Sequence, residues 1–265
     1  MPDFRGSLVS GAPISRREAL RRTTMGAIVL STGACLDSNE PSKASGTDGR
    51  LSTRVSSPSR TVEPGLHELG FGVVRDGFYY VPATYRATTP APVALLLHGA
   101  GRNATEMLDP IRPLADTLGM VLVAPDSRVS TWDAIDSAFG DDVQFIDRAF
   151  AWVFDRVRVD AARVRVVGFS DGGSYALSLG IINGDLFSRV VAFSPGFIVG
   201  GPVNGKPKIF ITHGTRDVVL PIETTSRQIV PQLRNIGYDV EYHEFDGGHG
   251  VTPALLSQAM TWAAA

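Results

Sequence analysis

A single cysteine, Cys35, leaves the chain unable to close an internal disulfide, so packing alone must hold its fold. The longest signal-like apolar stretch, Met25 to Ala34, is about half of the ~20 residues a membrane-spanning helix needs. Charge of either sign is also scarce: 25 Lys and Arg face 27 Asp and Glu, a formal net charge of −2. Without a basic stripe, nucleic acid is excluded as an expected partner. The five histidines form no cluster of metal-ligand spacing with Cys, Asp or Glu, so no metal or other cofactor is expected.

What is present begins with 43% apolar residues, enough for a sizeable core, but the first quarter of the chain stands apart from it. Ser15-Arg16-Arg17-Glu18-Ala19-Leu20-Arg21-Arg22, followed by the mildly apolar stretch to Ala34, has the basic-then-apolar order of an export signal and resembles a twin-arginine leader. Residues 1–35 are therefore expected to direct export to the periplasm or cell surface. Cys35, where the apolar stretch ends, is a candidate for lipidation and membrane anchoring. Residues 36–63 are rich in Ser, Pro, Gly and Thr and read as a disordered polar linker. Charge follows the same division: nine basic against six acidic residues in 1–63, sixteen against twenty-one in 64–265.

From Leu66 onward a short hairpin region gives way to apolar strand-like runs alternating with helical stretches, the pattern of a mostly parallel sheet covered on both faces. Strands are expected near Gly77–Val81, Val93–Leu97, Val121–Ala124, Arg163–Val167, Val190–Ser194, Lys208–Thr212 and Val240–Phe245. Helices are expected near Asn103–Leu118, Asp142–Arg156, Gly172–Ile182, Ser226–Ile236 and Pro253–Ala263.

The most informative stretch is Gly168-Phe169-Ser170-Asp171-Gly172-Gly173, directly behind the apolar run Val164 to Val167. It reads as a strand turning sharply into a helix with a serine at the apex, where side chains at Gly168 and Gly172 would collide. A serine hydroxyl is a poor nucleophile near neutral pH and needs a base, which in turn needs a group to fix its tautomer. Asp217 follows the apolar run Ile209 to Ile211, and His249 lies in a glycine-rich loop after Val240 to Phe245. Taken singly, each is more simply a turn former or a solvated loop residue. As a set, in the order Ser, Asp, His and each at a strand's C-terminal end, they read as catalytic. Asp246 is a rival acid, but so near His249 it fits a turn-shaping role. His98 and His213, each before a glycine at a strand end, fit a role in tying down loop backbone. Ala100, in Leu97-His98-Gly99-Ala100-Gly101, and Asp171 are the expected backbone N–H donors to an oxyanion. The Asp171 carboxylate needs no catalytic role, because an acid in a helix's first turn is favoured by the dipole.

Together with Ala124-Pro125-Asp126-Ser127-Arg128, Thr131-Trp132-Asp133 and Phe193-Ser194-Pro195-Gly196, these motifs resemble the α/β-hydrolase superfamily from about Leu66 to the C-terminus. Within it the chain is most similar to small bacterial serine esterases of the phospholipase/carboxylesterase type. The resemblance implies a serine hydrolase of carboxylic esters acting through an acyl-enzyme, with Ser170, Asp217 and His249 matching the family triad and a small-molecule ester as partner. Asp171 and Arg102 depart from the Gln and the acidic residue usual in relatives close to acyl-protein thioesterases. That points away from phospholipid and protein-thioester substrates. Only Gly196 to Pro207 separate two strands where many relatives insert a cap, so no cap domain is expected. The loop Ser127 to Gly140 is the remaining candidate wall, and its Trp132 and Phe139 are candidate substrate contacts, with anchoring of the loop as the alternative use. Polyester depolymerisation or feruloyl-type esterase activity is an alternative on the same machinery. A non-catalytic surface binding protein is an alternative from another class, and it predicts a broken triad.

Overall fold

The computed structural model describes residues 48–265, so the export-signal reading and Cys35 lie outside the described residues. The sheet has eight strands: β1 (Gly65–Glu68), β2 (Gly77–Val81), β3 (Ala91–Leu97), β4 (Val121–Pro125), β5 (Val159–Phe169), β6 (Arg189–Phe193), β7 (Lys208–Gly214) and β8 (Val240–Phe245). Their spatial order is β1-β2-β4-β3-β5-β6-β7-β8. The six strands from β4 to β8 pair parallel, while β1 and β2 join antiparallel at one edge. Among the described residues seven α-helices accompany them: α1 (Ala104–Leu108), α2 (Arg112–Leu118), α3 (Asp133–Asp136), α4 (Asp141–Phe154), α5 (Asp171–Ile182), α6 (Ser226–Asn235) and α7 (Pro253–Ala264). This is the α/β-hydrolase architecture expected, with no folded insertion between β6 and β7.

The central strands β3, β4, β6 and β7 are apolar on both faces because both faces are covered. Along β3, Val93, Leu95 and Leu97 face one core with α4, α5 and α6, while Ala94 and Leu96 face a second core with α1, α2 and α7. The same alternation runs through Ile209 and Ile211 against Phe210 in β7. The single helix expected over Asn103–Leu118 is two. Asn103 caps α1 by accepting from the Glu106 amide. Pro110 has no N–H to continue that helix, and Pro113 sits in the first turn of α2.

The linker reading fails for the part of 36–63 that is described. Residues 48–63 hold no regular secondary structure, yet they are strapped to the domain. Leu51 is fully buried in the α4–α5 core, and its amide donates to Asn183 Oδ1 at 2.9 Å. Arg50 and Arg54 both pair with Asp185. Ser52 and the Thr53 amide donate to Asp147, and Arg60 pairs with Asp155. A polar composition argues for disorder only while its charges stay solvated; here carboxylates spaced along the domain receive them.

Replacing Leu51 with Ala is expected to lower unfolding free energy by about 2–4 kcal/mol in urea titrations. A loss below about 0.5 kcal/mol would mean the strap contributes nothing to stability.

Candidate active site

Three close backbone contacts shape the turn between β5 and α5. A Cβ on Gly168 would lie 1.9 Å from the Gly172 carbonyl oxygen, and one on Gly172 would lie 2.1 Å from the Leu97 carbonyl oxygen. One on Gly173 would meet Phe193 O at 2.9 Å. Only glycine lets the first turn of α5 sit this close to β3, β5 and β6. Ser170, between them, is held at φ 57°, ψ −120°, a conformation L-residues rarely adopt. Its amide is anchored to Phe193 O at 2.9 Å.

The three residues expected to act together do meet. His249 Nδ1–H donates to Asp217 Oδ2 at 2.7 Å, and Ser170 Oγ–H donates to His249 Nε2 at 2.9 Å. Because an ionised carboxylate can only accept, the proton must sit on Nδ1, which leaves Nε2 as the acceptor facing the serine. The ring also packs against Phe169, centroids 4.9 Å apart. The loops carrying the two partners touch: Arg216 N–H donates to Gly247 O, and a Cβ on Gly214 would lie 2.3 Å from Gly248 O. The rival Asp246 points elsewhere, exposed and paired with Arg216.

Asp217 is almost fully buried. Oδ1 accepts from the Val219 and Leu220 amides, at 2.9 and 2.8 Å, and Oδ2 lies near two imidazoles, His249 and His213. Burial alone would push its carboxyl up; hydrogen bonds from His213 and His249 outweigh this and hold it well below the usual carboxylate range. The acid is therefore ionised wherever the serine could react.

The β3–α1 loop lies over the apex: a Cβ on Gly99 would sit 3.3 Å from Ser170 Cβ. Within that loop Gly101 N–H donates to Ser130 O and Arg102 N–H to Gly99 O, so neither amide is available to a ligand. Asp171 N–H is at the positive end of α5, and the Asp171 carboxylate accepts from Thr131 Oγ1 at 2.7 Å inside the protein. His98 holds this loop as expected, accepting from Ser127 N–H at Nε2 and donating from Nδ1 to Gly99 O. Burial depresses its imidazole from 6.5 to about 4.

Trp132 and Phe139 are not substrate contacts here. Trp132 is fully buried between His98 and Tyr175 and donates from Nε1 to His98 O at 2.8 Å. Phe139 is buried against Tyr175. Both anchor the Ser127–Gly140 loop, whose backbone is further tied by carboxylates: Asp133 accepts from Gly140 N–H and Asp142 N–H, and Asp142 from Arg128 N–H and Asp133 N–H. A surface cavity of about 350 Å³ lined by Arg60, Arg148, Trp152 and Arg156 includes none of the three reactive candidates. Its cations are already engaged, Arg148 over Phe71, Arg156 over Trp152 and Arg60 on Asp155. Among the described residues, no group of His, Cys, Asp and Glu could hold a metal ion.

Residues 123–264 match the family model described as phospholipase/carboxylesterase. The chain belongs to that family. This family member is similar to NocK of Nocardia uniformis subsp. tsuyamanensis, whose name assigns it as an esterase, with 28% identity over 147 residues. That match covers 51% of this chain and 42% of NocK, so it spans less than half the relative's length. Among solved structures it resembles esterase PE8 (TM-score 0.58, 21% identity, 72% of this chain and 98% of the other). It likewise resembles a Bacillus cereus carboxylesterase (TM-score 0.55, 21% identity, 72% and 94%). At this identity the structural likeness speaks for the fold, and the family model for membership of the phospholipase/carboxylesterase family.

Gly172→Ala is expected to destabilise by more than about 3 kcal/mol or to abolish soluble expression, because the added methyl meets backbone that cannot move aside. The depressed His98 pKa means the unfolded state binds the extra proton, so its contribution to stability is complete above about pH 6.5 and is lost as pH falls toward about 4. From about pH 7 to about pH 4.5, wild type is expected to lose roughly 2–3 kcal/mol more stability than His98→Asn, measured by denaturant titration.

Proposed function

We propose that this chain hydrolyses carboxylic esters through an acyl-enzyme, with Ser170 as nucleophile, His249 as general base and acid, and Asp217 as the group that orients His249. The observation that carries the reading is the His249 ring bridging Ser170 Oγ and Asp217 Oδ2 at 2.9 and 2.7 Å. In the first half-reaction Ser170 Oγ attacks the ester carbonyl carbon as its proton passes to Nε2, and the Ala100 and Asp171 amides receive the oxyanion. The Nε2 proton then goes to the departing alkoxide. Water repeats the sequence on the acyl-enzyme, releasing the acid and restoring Ser170.

The substrate is a small or medium ester. The β6–β7 connection lies flat rather than forming a lid, because Ser174 and Ser178 of α5 accept from the Gly196 and Val199 amides along it. Exposed Val129, Val218 and Val219 stand on the loops after β4 and β7, which favours an apolar acyl or alcohol group over a charged one. The basic-then-apolar leader and Cys35 support export to the periplasm or cell surface, with lipid anchoring through Cys35. Intact-mass and fractionation measurements on the native host would show the lipid or its absence.

Chromogenic esters of graded acyl length test the chemistry. Ser170→Ala is expected to lower kcat at least ~10⁴-fold and to abolish fluorophosphonate labelling, while leaving the fold intact. Equal turnover by wild type and variant would refute the assignment.

A further inference from the structure

His213, expected to tie down loop backbone, also makes a contact with Asp217 that a loop tie does not require. It is the penultimate residue of β7, fully buried, with its backbone paired opposite Glu244 of β8. Its Nε2 lies 2.8 Å from Leu220 O and 3.2 Å from Asp217 Oδ2. A carbonyl oxygen only accepts, so the hydrogen is on Nε2 and points into the space shared by Leu220 O and the carboxylate. The other nitrogen, Nδ1, is then the acceptor for Ser226 Oγ–H at 2.7 Å. The neutral ring is satisfied at both ends, and only one tautomer fits. Glu244 of β8, opposite His213 in the ladder, is paired with Arg227 of α6.

Asp217 Oδ2 therefore has two imidazoles beside it, His249 hydrogen-bonded through Nδ1–H at 2.7 Å and His213 Nε2 at 3.2 Å, with the shorter contact of that nitrogen going to Leu220 O. Oδ1 is held by the Val219 and Leu220 amides, so the carboxylate cannot rotate to offer His249 its other oxygen. We propose that His213 is a positioning residue for ester hydrolysis: its Nε2–H shares Asp217 Oδ2 with His249 and fixes how strongly that oxygen polarises the His249 ring. This rests on the serine-hydrolase reading above. A carboxylate oxygen with two donors is a weaker acceptor toward each of them. His213 thus tempers the basicity that Asp217 confers on His249, and it keeps the Oδ2 lone pair aimed at Nδ1.

Two polar replacements separate this role from packing. His213→Gln can place an amide N–H near the position of Nε2, whereas His213→Asn is long enough to meet Ser226 but too short to reach Asp217 or Leu220. The measurement is kcat and KM for a soluble short-chain ester across pH, beside wild type and Ser170→Ala, with unfolding midpoints recorded for each variant. His213→Asn is expected to lower kcat about 10–100-fold with KM within about twofold, and to move the acid limb of kcat/KM to higher pH by about half a unit or more. The limb moves up because Oδ2, relieved of one donor, favours the charged His249 ring more strongly. His213→Gln is expected to keep the wild-type limb and most of kcat. An unmoved limb in His213→Asn, or equal losses in both variants, overturns the proposal. Were His213→Asn not to fold, His213→Gln decides alone: a wild-type limb supports it and a displaced limb refutes it. Wild type without Ser170-dependent turnover would fall against the hydrolase reading and take this inference with it. Active wild type with an indifferent His213→Asn refutes only the inference.

Discussion

Everything at the reactive centre depends on how closely three backbones approach at the top of β5. Without side chains at Gly168 and Gly172, the first turn of α5 settles onto the carbonyls of Leu97 and His98 and beside Phe193. That approach forces Ser170 into its positive-φ conformation, points Oγ out of the sheet and brings the β3–α1 loop over it. The same contact sets the start of α5, and with it the direction of the helix dipole at the Asp171 amide. The cost of the strained serine, of order 1–3 kcal/mol, is met by two buried cores on either side of the sheet.

A second layer of order comes from carboxylates held by backbone amides, two of them, Asp142 and Asp217, buried. Asp217, Asp133 and Asp142 are carboxylates at the C-terminal edge of the sheet, each surrounded by backbone N–H groups rather than by Lys or Arg alone. Asp142 shows the expense of this arrangement: burial raises its carboxyl to about 6 despite the amides that favour the charged form. These acids act as templates that give irregular loops the rigidity of regular structure. The loop that looked like a substrate wall is instead knitted to α4 and α5, with Trp132 as its core anchor.

The features legible in the sequence are those governed by local rules. Apolar alternation marked seven of the eight strands, and the glycine spacing around Ser170 announced a contact that only glycine permits. The chain order of Ser170, Asp217 and His249, each behind an apolar run, was enough to anticipate that they would meet. What stayed hidden depended on distant partners. Leu51 is one apolar residue in a polar stretch, and the residues that receive it and its neighbours, Asn183 for Leu51, Asp147 for Thr53 and Asp185 for Arg50, lie far along the chain. The break between α1 and α2 was readable from Pro110 and Pro113. The approach of His213 to Asp217 was not, because it needs the 214–220 loop to curl back until Leu220 O meets the ring.

The base of the proposed reaction is delivered by the loop that follows an edge strand. β8 is a sheet edge, paired only to β7, and most of its residues are half-exposed. A brief detachment of this one ladder would carry the imidazole away from the serine while β3 to β7 kept their packing. Catalytic competence and global integrity thus have separate thresholds, and amide exchange along residues 240–245 reports the lower of the two.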